Sequence, residues 1–384
     1  MKLLNKNILF VLGGTSEPTK GGVSRVCDNL TKPFSVEGAS VYIISSDNSY
    51  IGNYKDSWIF PSPKVTDIAN SNFLLNLQNQ YKFNYVIIED PQEAWVISAV
   101  ECLKGRTFLI GHLHNSPFGL YSYVSRLKPQ FLADSKIIRN LVFYKKRKAV
   151  KNHYKKVSNL LDKLVLLSDR YESELYKLAE FRPEQVIAIP NPFPQIDYKD
   201  HKKNNTILFV GRIANPQKRV FALLDIWKRL APQLPDWDMK IVGEGPQLKE
   251  CKAKAQKMRL ERISFEGHQV PDKYYNDSKL FVMTSLYEGF PMTLVEAMQY
   301  KCVPIAFDSF AALSEILDEG NCGLLVPSFS EKLFTSAVMR LALDNDKLSE
   351  MASNCRNKSI QYAPSLIADK WISLFNDSEI LVMR

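Results

Sequence analysis

The segment Glu288-Gly289-Phe290-Pro291-Met292-Thr293-Leu294-Val295-Glu296 sets two carboxylates on either side of a proline. Proline suits the first position of a helix, where its missing N–H would have no partner and its φ is already set. A helix opening there turns the first-turn amides of Met292, Thr293 and Leu294, with the positive end of its dipole, toward whatever lies in front. That is an anion cradle made of backbone. Carboxylates beside such a cradle do not hold phosphate. They suit hydroxyls, such as those of a ribose and a sugar, as charge-assisted acceptors. Taken alone, Glu288 reads equally well as a solvated loop acid, and Glu296 as an acid that stabilises the helix dipole.

Gly211-Arg212-Ile213-Ala214-Asn215-Pro216-Gln217-Lys218 follows a strand-like run and precedes a helical one, so Arg212 and Lys218 stand at either end of a turn at a strand's carboxyl edge. Two cations so placed can close on one diphosphate, and with a helix dipole they stabilise the charge that develops on a leaving nucleoside diphosphate without magnesium. Thr19-Lys20-Gly21-Gly22-Val23-Ser24 is a glycine turn before the first helix, where the missing side chains let a ligand come close to the backbone. It is not the G-x-G-x-x-G fingerprint, which disfavours a nicotinamide cofactor. In Gly111-His112-Leu113-His114, alternate residues of a strand end point the same way, so both imidazoles face a ligand or both pack. Either could move a proton or hydrogen-bond a sugar, and no third ligand suggests a metal.

Loops of this kind need a scaffold, and the hydrophobic pattern supplies one. Short β-branched runs at 8–12, 41–45, 85–89, 107–110 and 164–167 alternate with helical patterns, and the second half repeats the grammar at 206–210, 239–242, 263–266, 280–283, 303–306 and 323–326. Strands apolar on both faces and separated by helix-length crossovers predict parallel sheets covered on both sides. The prolines of Ile189-Pro190-Asn191-Pro192-Phe193-Pro194 and the polar stretch that follows place a hinge near residues 191–205. In open α/β sheets, ligands bind at the carboxyl ends of strands, so two facing lobes would make a deep cleft.

A chain of 384 residues, 45% hydrophobic and 24% charged, has enough apolar content for two cores and is neither disordered nor fibrous. No apolar run approaches the length of a membrane span, and the run 7–12 is too short for a signal-peptide core. Six scattered cysteines without a C-x-x-C pair point to a reducing compartment and no structural metal. The net charge of +9 comes from one segment: residues 120–163 hold twelve Lys or Arg against Asp134 and Asp162, which leaves 38 basic and 39 acidic residues elsewhere.

In order, the Gly-Gly loop, the strand-end His, Gly211-Arg212 with Lys218, Val242-Gly243-Glu244-Gly245-Pro246, Phe265-Glu266-Gly267 and Glu288 with Glu296 resemble the GT-B glycosyltransferases of family 4, the glycosyl transferases group 1. The resemblance spans nearly the whole chain and is strongest over 206–327. It implies an α/β GT-B fold of two doubly wound, Rossmann-like parallel-sheet domains facing a deep cleft. The expected parts are an N-terminal acceptor-binding domain over 1–195, a nucleotide-sugar-binding domain over 196–362 and a terminal helix, 363–384, packing back toward the first.

The resemblance also implies an activity. A hexose or N-acetylhexosamine would pass from a nucleotide sugar, most commonly a UDP-sugar, to a hydroxyl of a glycan or lipid-linked acceptor. Transfer would proceed with retention and without metal or cofactor, in the biosynthesis of a cell-surface polysaccharide such as capsule or lipopolysaccharide. By motif position, Arg212 and Lys218 would grip the diphosphate, Gly21 and Gly22 would approach it from the other domain, and Gly243 would lie near the base. Gly289 and Phe290 would form the donor loop, with the amides of Met292, Thr293 and Leu294 beyond it. Glu296 would bind the ribose and Glu288 the donor sugar, with His114 near the reacting centre. Lys218 follows Arg212 by six positions where many relatives have five, and Pro291 stands where glycine is common.

Within 120–163, Tyr121, Tyr123, Phe131, Phe143 and Tyr144 mix with the cations, the pattern of a basic amphipathic surface that rests on anionic lipid. That predicts a cytoplasmic protein, peripheral on the inner face of the plasma membrane, and no nucleic-acid partner. Two other readings stand beside transfer: an epimerase or phosphorylase on the same fold, and a non-catalytic basic protein that binds nucleic acid or acidic polymer. Phosphorolysis would need a further anion site, and no third basic glycine cluster is present.

Overall fold

The computed structural model describes residues 1–47, 50, 52–63, 67–92, 94–117 and 135–382. The chain divides into two compact units, Met1–Gly119 with Lys145–Pro194 and Tyr362–Arg384, and Leu120–Tyr144 with Gln195–Gln361.

The first unit carries strands β1 (Asn7–Val11), β2 (Ser40–Ser45), β3 (Asp56–Ile59), β4 (Tyr85–Glu89), β5 (Phe108–Leu113), β6 (Lys163–Leu166) and β7 (Val186–Ala188). They form one parallel sheet in the order β3-β2-β1-β4-β5-β6-β7. The second unit carries β8 (Asn204–Val210), β9 (Asp238–Val242), β10 (Ile263–Gly267), β11 (Ser278–Met283), β12 (Val303–Asp308) and β13 (Leu324–Pro327), in the order β10-β9-β8-β11-β12-β13 and again parallel. Each sheet is the doubly wound arrangement the alternating pattern predicts, and the order reverses beside β1 and beside β8. Strands buried on both faces read as unbroken apolar runs, and Ile8 to Val11 and Val86 to Ile88 are wholly buried.

The expected strands omit β3 and β7. Both are edge strands: β3 has no fully buried residue, and β7, although apolar, is only three half-buried residues long.

The helix Pro364–Val382 belongs to the first unit and packs on the helix Gly22–Val36. Phe375 stacks on Tyr85 at 4.3 Å and meets Phe34 edge-on at 5.7 Å. Trp371 from the same helix is fully buried, with its ring edge-on to His112 at 5.1 Å. A surface strand end thereby becomes part of a closed core.

Candidate functional site

In the second unit, the chemistry-bearing loops all leave the carboxyl ends of strands. Gly211 to Lys218 follows β8, Gly243 to Gly245 follows β9, and Thr284 to Pro291 follows β11. Glycine sets the packing between the first two. Gly243 has φ +133, and a Cβ there would lie 2.0 Å from the Gly211 carbonyl oxygen; one on Gly245 would lie 2.3 Å from that of Ile213. The loops therefore run backbone against backbone, joined by Ile213 N–H to the Glu244 carbonyl at 2.8 Å. On the other side, Thr284 Oγ1 donates to the Lys218 carbonyl at 2.8 Å, and Leu286 N–H donates to that of Gln217 at 2.6 Å.

This stitching brings Lys218 Nζ within 2.6 Å of Glu288 Oε1, both side chains largely shielded from solvent. The helix Met292–Gln299 starts immediately beyond. Pro291, predicted as the first helical residue, is instead the N-cap, with φ −67 and ψ 115, so the helix starts one residue later than expected. Its extended ψ keeps Pro291 out of the helix. Leu294 N–H donates to the Pro291 carbonyl at 3.2 Å, so of the three predicted cradle amides this one is engaged in its own first turn. Glu296, one turn further on, accepts from Tyr275 Oη at 3.0 Å. Phe290 is buried and anchors the loop, while Arg212 is exposed.

In the first unit, Gly13, Gly14, Gly21, Gly22, Ser24, Glu89 and Asp90 line a cavity of about 460 Å³ at the carboxyl ends of β1 and β4. Gly21 caps the helix Gly22–Val36 in extended conformation. Asp90 has φ 53, a left-handed conformation unusual for a side-chain-bearing residue, and its Oδ1 accepts the His114 N–H at 3.1 Å.

His112 and His114 both pack inward, 1% and 8% exposed. Both address the same carboxylate oxygen of Glu89: His112 Nδ1 lies 3.0 Å from Oε2, and His114 Nε2 lies closer still. Burial alone would raise the Glu89 carboxyl, but the two imidazoles outweigh it and hold its pKa near 2. Burial likewise opposes the charged form of His114, and Glu89 overrides it, so the His114 pKa is raised. His112, which burial and the neighbouring His114 both disfavour as a cation, has a lowered pKa. Burial raises Asp90. Among the described residues, Glu89, His112 and His114 form the one group whose donor atoms, within 4.8 Å of one another, could surround an ion. Both imidazoles meet the same oxygen of Glu89.

The predicted residues thus fall into two sets. Gly21, Gly22 and His114 belong to the first unit; Arg212, Lys218, Gly243, Glu288, Gly289, Phe290, Met292, Thr293, Leu294 and Glu296 belong to the second. His114 does not itself line the cavity; Glu89 and Asp90 do. Glu89 and Tyr275 are not among the predicted site residues. A carboxylate closing an otherwise apolar strand is the available signal for Glu89; Tyr275 carries none. Of the basic segment, Tyr121, Tyr123, Arg126, Lys128, Phe131 and Asp134 lie outside the described residues. Most of its remainder forms the helix Lys136–Leu160, and Lys163 opens β6.

Two Rossmann-like parallel sheets with loop chemistry at their carboxyl edges define an α/β chain of the GT-B fold. Residues 195–359 match the family described as Glycosyl transferases group 1. The amylovoran biosynthesis glycosyltransferase AmsD of Erwinia amylovora is 32% identical over 225 residues, covering 56% of this chain and 63% of that protein. An Escherichia coli UDP-Gal:alpha-D-GlcNAc-diphosphoundecaprenol alpha-1,3-galactosyltransferase is 26% identical over 303 residues, covering 72% and 76%. Among solved structures, Anabaena HepE in complex with UDP and glucose superposes with a TM-score of 0.74 at 17% identity, covering 97% of this chain and all of that one. The alignments with AmsD and with a Haemophilus influenzae glycosyltransferase span less than two thirds of those proteins, 63% and 60%.

Proposed function

We propose that this chain is a glycosyltransferase that moves a sugar from a nucleotide sugar to a hydroxyl of a surface-polysaccharide or lipid-linked acceptor. The observation that carries this reading is the 2.6 Å pair of Lys218 and Glu288, which stands one loop from the start of the helix Met292–Gln299. A cation suited to phosphate and a carboxylate suited to hydroxyls are thereby held side by side, the combination a sugar diphosphate presents. The matched family, and relatives named as glycosyltransferases of amylovoran and O-antigen biosynthesis, support the same class of reaction.

In this reading Arg212 and Lys218 take the diphosphate, and they and the helix end stabilise the charge that grows on it as the bond to the sugar breaks. Glu296, held by Tyr275, accepts from the ribose hydroxyls. Glu288 accepts from the donor sugar. We favour a UDP-sugar, retention at the anomeric carbon and no metal, and take the leaving phosphate as the group that helps deprotonate the acceptor. The UDP held in the HepE complex supports the choice of base.

We also propose contact with an anionic membrane surface. On the helix Lys136–Leu160, Lys145, Arg147, Lys148, Lys151, Lys155 and Lys156 are exposed, as are Ile137, Leu141 and Tyr144, which recur at i, i+4 and i+7 on one face. Among the described residues no helix is long and apolar enough to cross a membrane.

A thermal-shift panel of nucleoside diphosphates and their sugars tests the donor assignment. A ligand at about 100 times its Kd adds about 2.7 kcal/mol to stability. Uridine diphosphate and a UDP-sugar are expected to raise Tm in the presence of EDTA. A flat panel contradicts the reading.

A further inference from the structure

Glu89 closes β4, and His112 and His114 lie at the end of the neighbouring strand β5 and just beyond it. Oxygen Oε2 meets both rings, and the other oxygen, Oε1, accepts the Cys27 thiol at 3.4 Å. The carboxylate is 1% exposed, and the two imidazole centroids lie 4.1 Å apart, with Trp371 edge-on to the His112 ring. A carboxylate so enclosed is either protonated or matched by a positive charge. Two imidazolium rings at that separation would repel, so one ring carries the charge and the other stays neutral.

Geometry says which. His114 Nε2 makes a hydrogen bond to Oε2, whereas His112 Nδ1, 3.0 Å from the same oxygen, falls outside hydrogen-bond geometry, and His112 Nε2 has no hydrogen-bond partner among the described residues. We propose that Glu89 is a positioning residue that keeps His114 as an imidazolium, with His112 its neutral neighbour, so that His114 serves as a fixed positive hydrogen-bond donor and not as a proton acceptor. The relevance of His114 to sugar transfer rests on the function proposed above; the charge of its ring does not.

The groups that act on His114 are consistent with this. Glu89 and Asp90 come from β4 and the residue after it, His112 from its own strand and Cys27 from the helix Gly22–Val36. Asp90 in turn acts on Tyr154 of the helix Lys136–Leu160. Burial and Glu89 push the Cys27 thiol and burial pushes the Tyr154 hydroxyl well above their usual values, so both stay neutral. The negative charge beside His114 is therefore that of Glu89, with Asp90 behind it.

The test is nitrogen NMR of the full chain labelled with 15N-histidine, which has five imidazoles, the His114 signals being assigned with His114→Gln. At pH 7 both His114 ring nitrogens are expected to carry protons. Glu89→Gln is expected to lower the His114 midpoint by at least about one pH unit, and Glu89→Asp to restore part of the shift. Should Glu89→Gln fail to fold, His112→Gln provides the second arm, with His114 still protonated at neutral pH. A neutral His114 in the native chain, an unshifted titration in folded Glu89→Gln, or one equivalent of zinc in the purified protein overturns the proposal. Failure of the sugar-transfer reading has a different signature: no binding of UDP, with the histidine result intact.

Discussion

Lys218 and Glu288 meet at 2.6 Å from loops that follow two neighbouring strands of the second sheet, β8 and β11. In the proposed function the pair would aim the ammonium before any donor arrives and tie a phosphate-binding group to a hydroxyl-binding one. A diphosphate bound there as proposed would draw on a cation that is already oriented but already shared.

Removing that cation should cost more in turnover than in folding. Lys218→Met is expected to lower kcat with a UDP-sugar by about 100- to 1000-fold, the usual loss when one transition-state charge partner is deleted. Because the two side chains act on one another, the Lys218→Met, Glu288→Gln double variant should lose less than the product of the single losses. Multiplicative losses in steady-state kinetics would show that the pair does not work as a unit.

Tyr275→Phe removes one hydroxyl, the donor that holds Glu296 Oε2 at 3.0 Å. A net loss of about 1 kcal/mol is expected for such a bond. It should appear as a roughly five-fold rise in donor KM with kcat little changed. An unaltered KM would detach Glu296 from the donor.

Gly243→Ala meets two obstacles at once, a φ of +133 and a Cβ 2.0 Å from the Gly211 carbonyl oxygen. Backbone strain of this kind costs on the order of 1 to 3 kcal/mol before the clash is counted, and the clash forces the loops apart. The denaturation midpoint should fall and UDP affinity with it. Wild-type stability would mean the loops have more freedom than their contacts imply.

The pH dependence of stability should carry the mark of the buried pair. Glu89 has a pKa of about 2 against an ordinary 4.5, so its contribution is complete above about 4.5 and is lost as pH falls toward 2. His114 is raised above an ordinary 6.5, so its contribution is complete below about 6.5 and is lost as pH rises through the folded value. The stability difference between the native chain and Glu89→Gln should therefore peak between about pH 4.5 and 6.5, at about 3 to 5 kcal/mol for a broken buried pair. Chemical denaturation across pH measures this. A difference that keeps growing above pH 8 would have the wrong sign.

The helix Lys136–Leu160 supplies an independent check on membrane contact. Changing the exposed Lys145, Arg147 and Lys148 to Gln should weaken binding to anionic vesicles by about 1 kcal/mol per residue and leave neutral vesicles unaffected. Flotation assays read this directly, and equal flotation of both proteins would leave the helix as an ordinary solvated surface.

What can be read from the sequence follows from where the signal is local. Central strands such as Asn7–Val11 and Tyr85–Glu89 are apolar on both faces and announce themselves, whereas the half-exposed edge strand Asp56–Ile59 does not. The Glu288 to Glu296 segment is visible because turn, helix start and acids are contiguous. The pairing of Glu89 is not, because its partners His112 and His114 come from the end of a neighbouring strand and just beyond it, and only the sheet brings them together. Tyr275 is likewise joined to Glu296 by packing alone. The sequence reading sets Pro291 one residue too far into its helix because its fixed φ is compatible with either position and ψ, which decides, is not encoded by the ring.

The central claim is that the second unit binds the diphosphate of a nucleotide sugar through Arg212, Lys218 and the start of the helix Met292–Gln299. Isothermal titration of UDP in EDTA into the native chain, Arg212→Ala and Glu296→Ala tests it most directly. Saturable one-to-one binding that weakens by at least about ten-fold in each folded variant is the predicted result. Native-like affinity in both variants, or no binding of UDP to the native chain, would contradict it.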